Sequence, residues 1–194
     1  MNNLTNRSIN KILKLFSKKV KEVNGVIISD YNKGVCTELV ASEVIKCAIR
    51  LKIPTYIDPK GKKWNKYYGS SIITPNLKEA EDFLERKLIC DQDIEEAGME
   101  ICKKLRLMAC LITRGQNGMS YISKDLKLHV SSEAKEIFDV SGAGDTVIAA
   151  FATGMLAGFD PETATRFANK AAGIVVGHIG TSGITIEELQ ESTG

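Results

Sequence analysis

The stretch that decides the fold is EIFDVSGAGDTVIAAF, at residues 136–151. Its start, Glu136–Phe138, predicts a short strand, and apolar residues recur at helical spacing after Asp145. Between strand and helix lies a glycine turn, which points backbone N–H groups at one spot and favours an anion such as phosphate there. The carboxylate of Asp145 stands beside that spot, which indicates transfer of a phosphoryl group to a hydroxyl. The alternative is a plain tight turn in which Asp145 caps the helix.

Two other nucleotide-binding turns do not fit this stretch. The run GAGDTV at residues 142–147 lacks the third glycine of the dinucleotide-binding turn and comes late in the chain. The sequence Gly-x4-Gly-Lys-Ser/Thr occurs nowhere in the chain, which excludes a P-loop.

Strands and helices alternate along the rest of the chain, as judged by hydrophobic periodicity. The predicted strands are 26–28 (fully buried), 55–57, 72–74 and 110–113, followed by a hairpin at 119–123 and 126–130. The predicted helices are 9–20 with a possible cap at Ser8, 37–51, one that opens at 76–79, 94–105, the one after Asp145, and 161–176. The sequence therefore predicts one three-layer α/β domain over residues 1–194, with a mostly parallel, doubly wound sheet and helices on both faces.

Polar or small residues lie just past the predicted strands. Ligands of such sheets bind beyond the carboxyl ends of the strands. We therefore expect one edge of the sheet to be lined by Asp30, Asp58, Asn76, Thr113 and Gly142.

Composition narrows the possible partners. The chain has 26 Lys and Arg against 24 Asp and Glu, a net charge of +2, which argues against nucleic acid and anionic membranes. Five cysteines without a Cys-x-x-Cys pair, and only two histidines, make a zinc site unexpected and favour a reducing cytoplasm. Neither a membrane-spanning apolar run nor a secretory signal is predicted.

Asn76 and Glu79 stand three residues apart at a predicted helix start. This spacing places an amide and a carboxylate on one helix face, where hard oxygen ligands can reach a metal ion directly or through water. The alternative is a capping box, in which Asn caps the helix and Glu reaches back to its N–H. The residues alone leave both interpretations open.

Three motifs in order resemble the ribokinase-like (PfkB-type) carbohydrate kinases. Residues 139–145, DVSGAGD, are similar to that family's C-terminal signature, and residues 76–79, NLKE, to its Asn-x-x-Glu motif. Residues 113–118, TRGQNG, are similar to a strand-end turn that approaches the phosphates of ATP there. The resemblance covers nearly the whole chain.

Further runs resemble the D-glycero-D-manno-heptose-7-phosphate kinases within that family. They are SDYNKG at 29–34, IDPKG at 57–61, TPNL at 74–77, AAGIVVG at 171–177 and GTS at 180–182. The resemblance implies ATP-dependent phosphorylation of the anomeric hydroxyl of heptose 7-phosphate, on the route to ADP-heptose for lipopolysaccharide. The alternatives are a kinase for another sugar or sugar phosphate, and a nucleotide-binding module without turnover.

The resemblance also implies roles for single residues. Asp145 is the expected catalytic base, and the amides of Gly142, Ala143 and Gly144 form the expected anion hole. ATP and Mg²⁺ are the expected cofactors, with Glu79 reaching the metal through water. The expected ATP-binding residues are Asn76, Leu77, Lys78, Glu79, Thr113, Gly115, Asn169 and Gly173. For Asn169, a satisfied surface or helix-packing amide is the alternative.

The phosphate of a sugar phosphate needs cations, which lysines at strand ends could supply. Asp30, Lys33 and Lys60 are the candidates for this sugar-phosphate site. The alternative for the two lysines is that they are exposed loop residues. For Asp58-Pro59, the alternative to a ligand is a turn that positions Lys60.

Members of the family begin with further strands, a glycine-rich sugar-binding motif and lid strands, which the start of this chain does not resemble. We therefore expect an ATP-binding and catalytic portion without most of the sugar-binding portion. No His-x-Gly-His occurs, so no nucleotidyltransferase domain is expected on this chain. An open sheet edge would expose apolar surface, and we expect a homodimer or other self-association to cover it.

Overall fold

The computed structural model describes residues 4–133, 140, 142–177, 184–185 and 187–188. The strands in these ranges are β1 (Val26–Ser29), β2 (Thr55–Asp58), β3 (Ile72–Ile73), β4 (Ala109–Thr113), β5 (Met119–Ser123) and β6 (Lys127–Val130). The α-helices are α1 (Asn6–Lys19), α2 (Glu38–Arg50), α3 (Leu77–Leu84), α4 (Asp91–Leu105), α5 (Ala143–Leu156) and α6 (Pro161–Val176). The predicted strand Glu136–Phe138, Asp139 and Ser141 of the glycine turn, and the run 180–182 lie outside the described residues.

The described strands form one six-stranded sheet in chain order, from β1 to β6. The pairs from β1 to β4 are parallel. The last two pairs, β4 with β5 and β5 with β6, are antiparallel. The predicted mostly parallel α/β sheet and its hairpin are both confirmed, and the hairpin makes the sheet mixed.

Helices cover both faces of this sheet, as predicted. On one face, Ile45 of α2 and Ile101 of α4 pack in a cluster that includes Ile57 of β2. On the other face, Phe151 of α5 packs in a second cluster with Leu111 of β4. Each cluster buries fully enclosed side chains, and burial of a large apolar side chain is worth about 1.5–3 kcal/mol. The two clusters hold the helices against both faces of the sheet.

Strand β1 differs from the prediction of a fully buried strand. Ile28 is buried, but Ile27 is 45% exposed. Among the described strands β1 pairs only with β2 and forms the edge of the sheet, so its second face is incompletely covered. Apolar runs cannot distinguish such an edge strand from a central one.

Local sequence explains where the helices begin. The Thr5 hydroxyl accepts the N–H of Ser8 and caps α1, so the predicted cap at Ser8 was wrong by three residues. Thr37 caps α2 and Asn76 caps α3 in the same manner. Gly142 precedes α5 with φ +82°, a left-handed conformation that glycine adopts without strain. None of the helices within the described ranges is long and apolar enough to cross a membrane.

Candidate active site

The carboxyl ends of the parallel strands meet at one edge of the sheet. A cavity at this edge is lined by Asp30, Tyr31, Asp58, Lys60, Thr74, Asn76, Glu79, Thr113, Gly142, Gly144 and Asp145. All five strand-end residues expected to share the edge are among them. Asn76 also forms an isolated parallel bridge to Thr113, which ties the start of α3 to the end of β4. The sheet therefore brings the glycine turn and the Asn-x-x-Glu motif together.

Asp145 lies in the first turn of α5, with its carboxylate held by two hydroxyls from the end of β1. The Ser29 hydroxyl donates to Oδ1 over 3.2 Å, and the Tyr31 hydroxyl donates to Oδ2 over 2.6 Å. The hydrogen bond to Asp145 raises the pKa of Tyr31 above its ordinary value, so the phenol stays protonated as a donor. The predicted base is thus oriented by Ser29 and Tyr31, two partners that the sequence does not predict.

The glycine turn presents amides beside Asp145. The N–H of Ala143 donates to the carbonyl of Val140 over 3.2 Å and is therefore occupied within the turn. Among the described residues, the N–H of Gly144 has no recorded acceptor, and Gly144 lines the cavity. A methyl group added at Gly144 would meet no atom of the described residues within 4 Å, so among these residues open space adjoins Gly144. Of the Ala143 and Gly144 amides, that of Gly144 is the better placed to receive a charged group.

Asp58 forms a second carboxylate close to Asp145. Its pKa is raised to about 6, chiefly because it is buried and also because the charges of Glu79 and Asp145 are near. The hydroxyl of Ser29 lies 3.3 Å from Oδ2 of Asp58 and partly offsets this effect. This edge of the sheet thus concentrates negative charge, a property suited to a cation.

Asn76 and Glu79 form a capping box, which was the alternative to a pair that reaches a metal ion. Asn76 Oδ1 accepts the Glu79 N–H over 2.9 Å, and Glu79 Oε2 accepts the Asn76 N–H over 3.0 Å. The other oxygen of Glu79 accepts Lys60 Nζ over 2.7 Å. This hydrogen bond raises the pKa of Lys60 above its ordinary value. Asn76 and Glu79 therefore both cap α3 and line the edge cavity.

Asp30 is buried and fully engaged. It accepts Lys66 Nζ over 2.5 Å and the Tyr67 hydroxyl over 2.6 Å. Burial alone would raise the pKa of Asp30, but the hydrogen bonds from Lys66 and Tyr67 hold it below its ordinary value. The carboxylate therefore fixes Lys66 in place and leaves little capacity for a sugar ligand.

Lysines surround a second, larger cavity next to the first. It measures about 880 Å³, within the size range of small-molecule sites. Its lining includes Asp30 and Lys60, which it shares with the edge cavity, together with Lys62, Lys63 and Lys66. Lys33 is exposed and lines neither of the two, so the structure brings Lys60, but not Lys33, to this place.

A third, mainly apolar cavity adjoins the edge cavity on the other side and shares Thr113 and Gly144 with it. It is lined by Thr113, Gly115, Gln116, Gly118, Met119, Ser132, Val140, Ala143, Gly144, Val147, Asn169, Ala172, Gly173 and Val176. Asn169 is 3% exposed and donates Nδ2 to the carbonyl of Ser131 over 2.8 Å, so it is a satisfied packing amide that also faces the cavity.

Two residues of the Asn-x-x-Glu motif lie outside these cavities. Leu77 packs against the apolar core, and Lys78 pairs with Asp82 along α3 over 2.7 Å. The structure therefore brings the two ends of the motif to the edge cavity but not its middle.

Comparison with known proteins identifies the family. Residues 2–188 match the pfkB family of carbohydrate kinases. The chain belongs to this family. Curated relatives named "Bifunctional protein HldE" include one from Mesorhizobium japonicum, 42% identical over 84% of this chain, and one from Actinobacillus succinogenes, 39% identical over 98%. The chain spans 33% and 40% of the length of these two relatives.

Solved structures of the same fold include two sugar kinases. The Escherichia coli phosphofructokinase-2 in complex with potassium has a TM-score of 0.83 and 19% identity, over 97% of this chain and 62% of that one. The Arabidopsis thaliana ribokinase complexed with ribose and ATP has a TM-score of 0.79 and 21% identity, over 98% of this chain and 60% of that one. The ribokinase-like α/β fold is thereby confirmed.

Proposed function

We propose that this chain carries the ATP-dependent kinase activity that phosphorylates D-glycero-β-D-manno-heptose 7-phosphate at O1, giving the 1,7-bisphosphate. The observation that carries this proposal is a row of three adjoining cavities: apolar, carboxylate-lined and lysine-lined. An adenine nucleotide, a phosphoryl-transfer centre and a phosphorylated acceptor require this order of environments. The relatives named HldE and the heptose-kinase motifs at residues 29–34 and 57–61 support the choice of acceptor.

The nucleotide is assigned to the apolar cavity. Its walls near Val147, Ala172 and Val176 offer apolar surface to a flat base. Thr113 and Gly144, which this cavity shares with the edge cavity, then mark where the phosphate chain passes toward Asp145. The packing amide of Asn169 lies in this wall and contributes shape to it.

Transfer is assigned to Asp145. The acceptor hydroxyl oxygen forms a bond to the γ-phosphorus of ATP while the bond from that phosphorus to the bridging oxygen breaks, and ADP leaves. The proton of the hydroxyl passes to the Asp145 carboxylate. The amide of Gly144 and the N-terminus of α5 stabilise charge on the transferred group.

The carboxylate-rich edge fits the Mg²⁺ that kinases of this type use with ATP. Asp58, Asn76 and Glu79 would supply oxygen atoms there, and the raised pKa of Asp58 reflects its burial first and then the nearby charges of Glu79 and Asp145. Among the described residues no group of three acidic, histidine or cysteine side chains forms a metal site, so a bound ion would also need phosphate or water oxygens as ligands. When bound, such an ion neutralises charge on the phosphates.

The phosphate of the acceptor is assigned to the lysine-lined cavity. Lys60, Lys62, Lys63 and Lys66 line it. Ammonium groups bind phosphate oxygens through charge-assisted hydrogen bonds. Asp30 contributes indirectly, because its ion pair holds Lys66 in the cavity wall.

Self-association and a cytoplasmic setting complete the proposal. The open edge at β1 carries the half-exposed Ile27, and Val23 just before it is 42% exposed. A second copy of the chain is the proposed cover, since one solved structure of this fold is described as a tetrameric phosphofructokinase-2. The five cysteines are unpaired thiols, as a reducing cytoplasm would keep them.

ADP formation tests the proposal. With ATP, Mg²⁺ and heptose 7-phosphate, we expect ADP release that depends on the sugar and exceeds that with ribose or fructose 6-phosphate. Calorimetry should show ATP binding with or without sugar. ATP binding without sugar-dependent ADP release would favour a nucleotide-binding module, and preference for another sugar would reject the acceptor.

A further inference from the structure

We infer that Ser29 and Tyr31 are positioning residues that together orient the carboxylate of Asp145 toward the acceptor hydroxyl. The inference rests on the proposed function, because it assigns a task within the same phosphoryl transfer. It starts from one feature of the site: each oxygen of the Asp145 carboxylate has its own hydroxyl partner, and both partners come from the end of β1.

Asp145 needs such partners because it is exposed. Asp145 is an exposed residue in the first turn of α5 and lines the edge cavity. Transfer between an acceptor hydroxyl and ATP depends on geometry, and a misplacement of about 1 Å can lower the rate about 100-fold. Two hydrogen bonds from a second element fix the side-chain torsions of Asp145 without burying it.

The two hydroxyls do not block the base. A carboxylate offers about four acceptor positions, so Ser29 and Tyr31 leave room for the hydroxyl of an acceptor. Tyr31 is 59% exposed, and its 2.6 Å hydrogen bond is the shorter of the two. The phenol therefore supplies most of the orientation, while Ser29 connects Asp145 to Asp58.

Ser29 carries one proton and lies near two carboxylates. Its oxygen is 3.2 Å from Asp145 Oδ1 and 3.3 Å from Asp58 Oδ2, so it can donate to only one of them at a time. Because it is shared between two carboxylates, Ser29 holds the base less firmly than Tyr31 does.

The test compares Tyr31→Phe with a matched Tyr68→Phe control. Tyr68 is 51% exposed, similar to Tyr31, and lines none of the three cavities. We expect Tyr31→Phe to lower kcat about 10-fold at saturating ATP and acceptor, with the Kd for ATP and the Tm unchanged. Ser29→Ala should lower kcat by a smaller factor, and Ser29→Thr, which keeps the hydroxyl, should restore it. Equal kcat for Tyr31→Phe and Tyr68→Phe would overturn the inference.

Two further readouts separate this inference from the proposed function. In an Asp145→Asn background, Tyr31→Phe should cause no additional loss, since there is no carboxylate left to orient. If Asp145→Asn abolishes transfer while Tyr31→Phe leaves kcat intact, the positioning role fails and the base assignment stands. If Asp145→Asn retains activity, the base assignment fails as well.

The contact itself can be measured without turnover. The ultraviolet difference between wild type and Tyr31→Phe, followed against pH, isolates the ionisation of the Tyr31 phenol. We expect this phenol to ionise at a higher pH in the wild-type chain than in an Asp145→Asn background, where the difference is taken against the double variant. Identical ionisation of Tyr31 in the two backgrounds would contradict the hydrogen bond on which the inference rests.

Discussion

At the scale of single residues, Asp58 carries the clearest electrostatic consequence. Its folded-state pKa of about 6 lies above the ordinary value of 3.8, so the folded chain binds this proton more tightly than the unfolded chain. The ionised Asp58 therefore lowers stability, and the penalty develops as pH rises through the interval from about 4 to about 6. Below that interval the carboxyl is neutral in both states and the penalty is absent.

We predict that Asp58→Asn raises the free energy of unfolding at pH 8 by about 2 kcal/mol. This gain is somewhat smaller than the free energy that corresponds to a pKa shift of about two units. The gain should nearly vanish at pH 4, because wild-type Asp58 is then protonated. Urea unfolding at the two pH values measures it, with Asp125→Asn in the exposed β5–β6 turn as the control. A gain of equal size at both pH values would contradict the raised pKa.

Gly144 separates stability from activity at one residue. An added methyl group meets no atom of the described part of the chain within 4 Å, so Gly144→Ala should leave the free energy of unfolding unchanged or raise it by up to about 1 kcal/mol. The methyl group would occupy the space assigned to the transferred phosphoryl group, and kcat should fall at least about 100-fold.

The contrasting variant is Gly142→Ala. Its φ of +82° makes alanine unfavourable by about 1–2 kcal/mol, so this variant should lose stability as well as activity. Urea unfolding and ADP formation report the two properties. A fully active Gly144→Ala would contradict the place given to the phosphoryl group.

At the scale of elements, Asn76 both caps α3 and lines the edge cavity. Asn76→Ala should lower the free energy of unfolding by about 1 kcal/mol, and so should Thr5→Ala at the cap of α1. Only Asn76→Ala should weaken ATP binding, by about 10-fold in calorimetry, because only Asn76 lines the edge cavity. Equal ATP affinity in the two variants would show that Asn76 is a cap alone.

Sequence predicts the elements and most strand ends, because hydrophobic period and turn residues are local properties. It could not predict the partners of Asp145, since Ser29 and Tyr31 lie 116 and 114 positions away in the chain. Of the run SDY at residues 29–31, the sequence predicts only Asp30 as a site residue, and its carboxylate is instead paired with Lys66. The pairing of the strands in the sheet decides to which side each strand-end residue points.

At the scale of the whole molecule, β1 is an edge strand among the described strands, and we predict self-association there. Wild type should exceed the monomer mass in light scattering at micromolar concentration, and Ile27→Lys should shift it toward the monomer, because a charge on an edge strand opposes pairing. Ile89→Lys is the control, since Ile89 is 89% exposed and lies between α3 and α4 rather than in β1. A monomeric wild type, or an equal shift in both variants, would reject the second copy as the cover.

Across the whole molecule, the edge cavity that contains Asp145 adjoins the apolar cavity and the lysine-lined cavity. The most direct test of the role given to Asp145 is the rate of ADP formation by Asp145→Asn with ATP, Mg²⁺ and heptose 7-phosphate. We predict that this rate falls about 10²–10⁴-fold below wild type, as loss of a general base requires, while calorimetry gives an unchanged Kd for ATP. An Asp145→Asn variant that keeps most of the sugar-dependent rate would contradict the account.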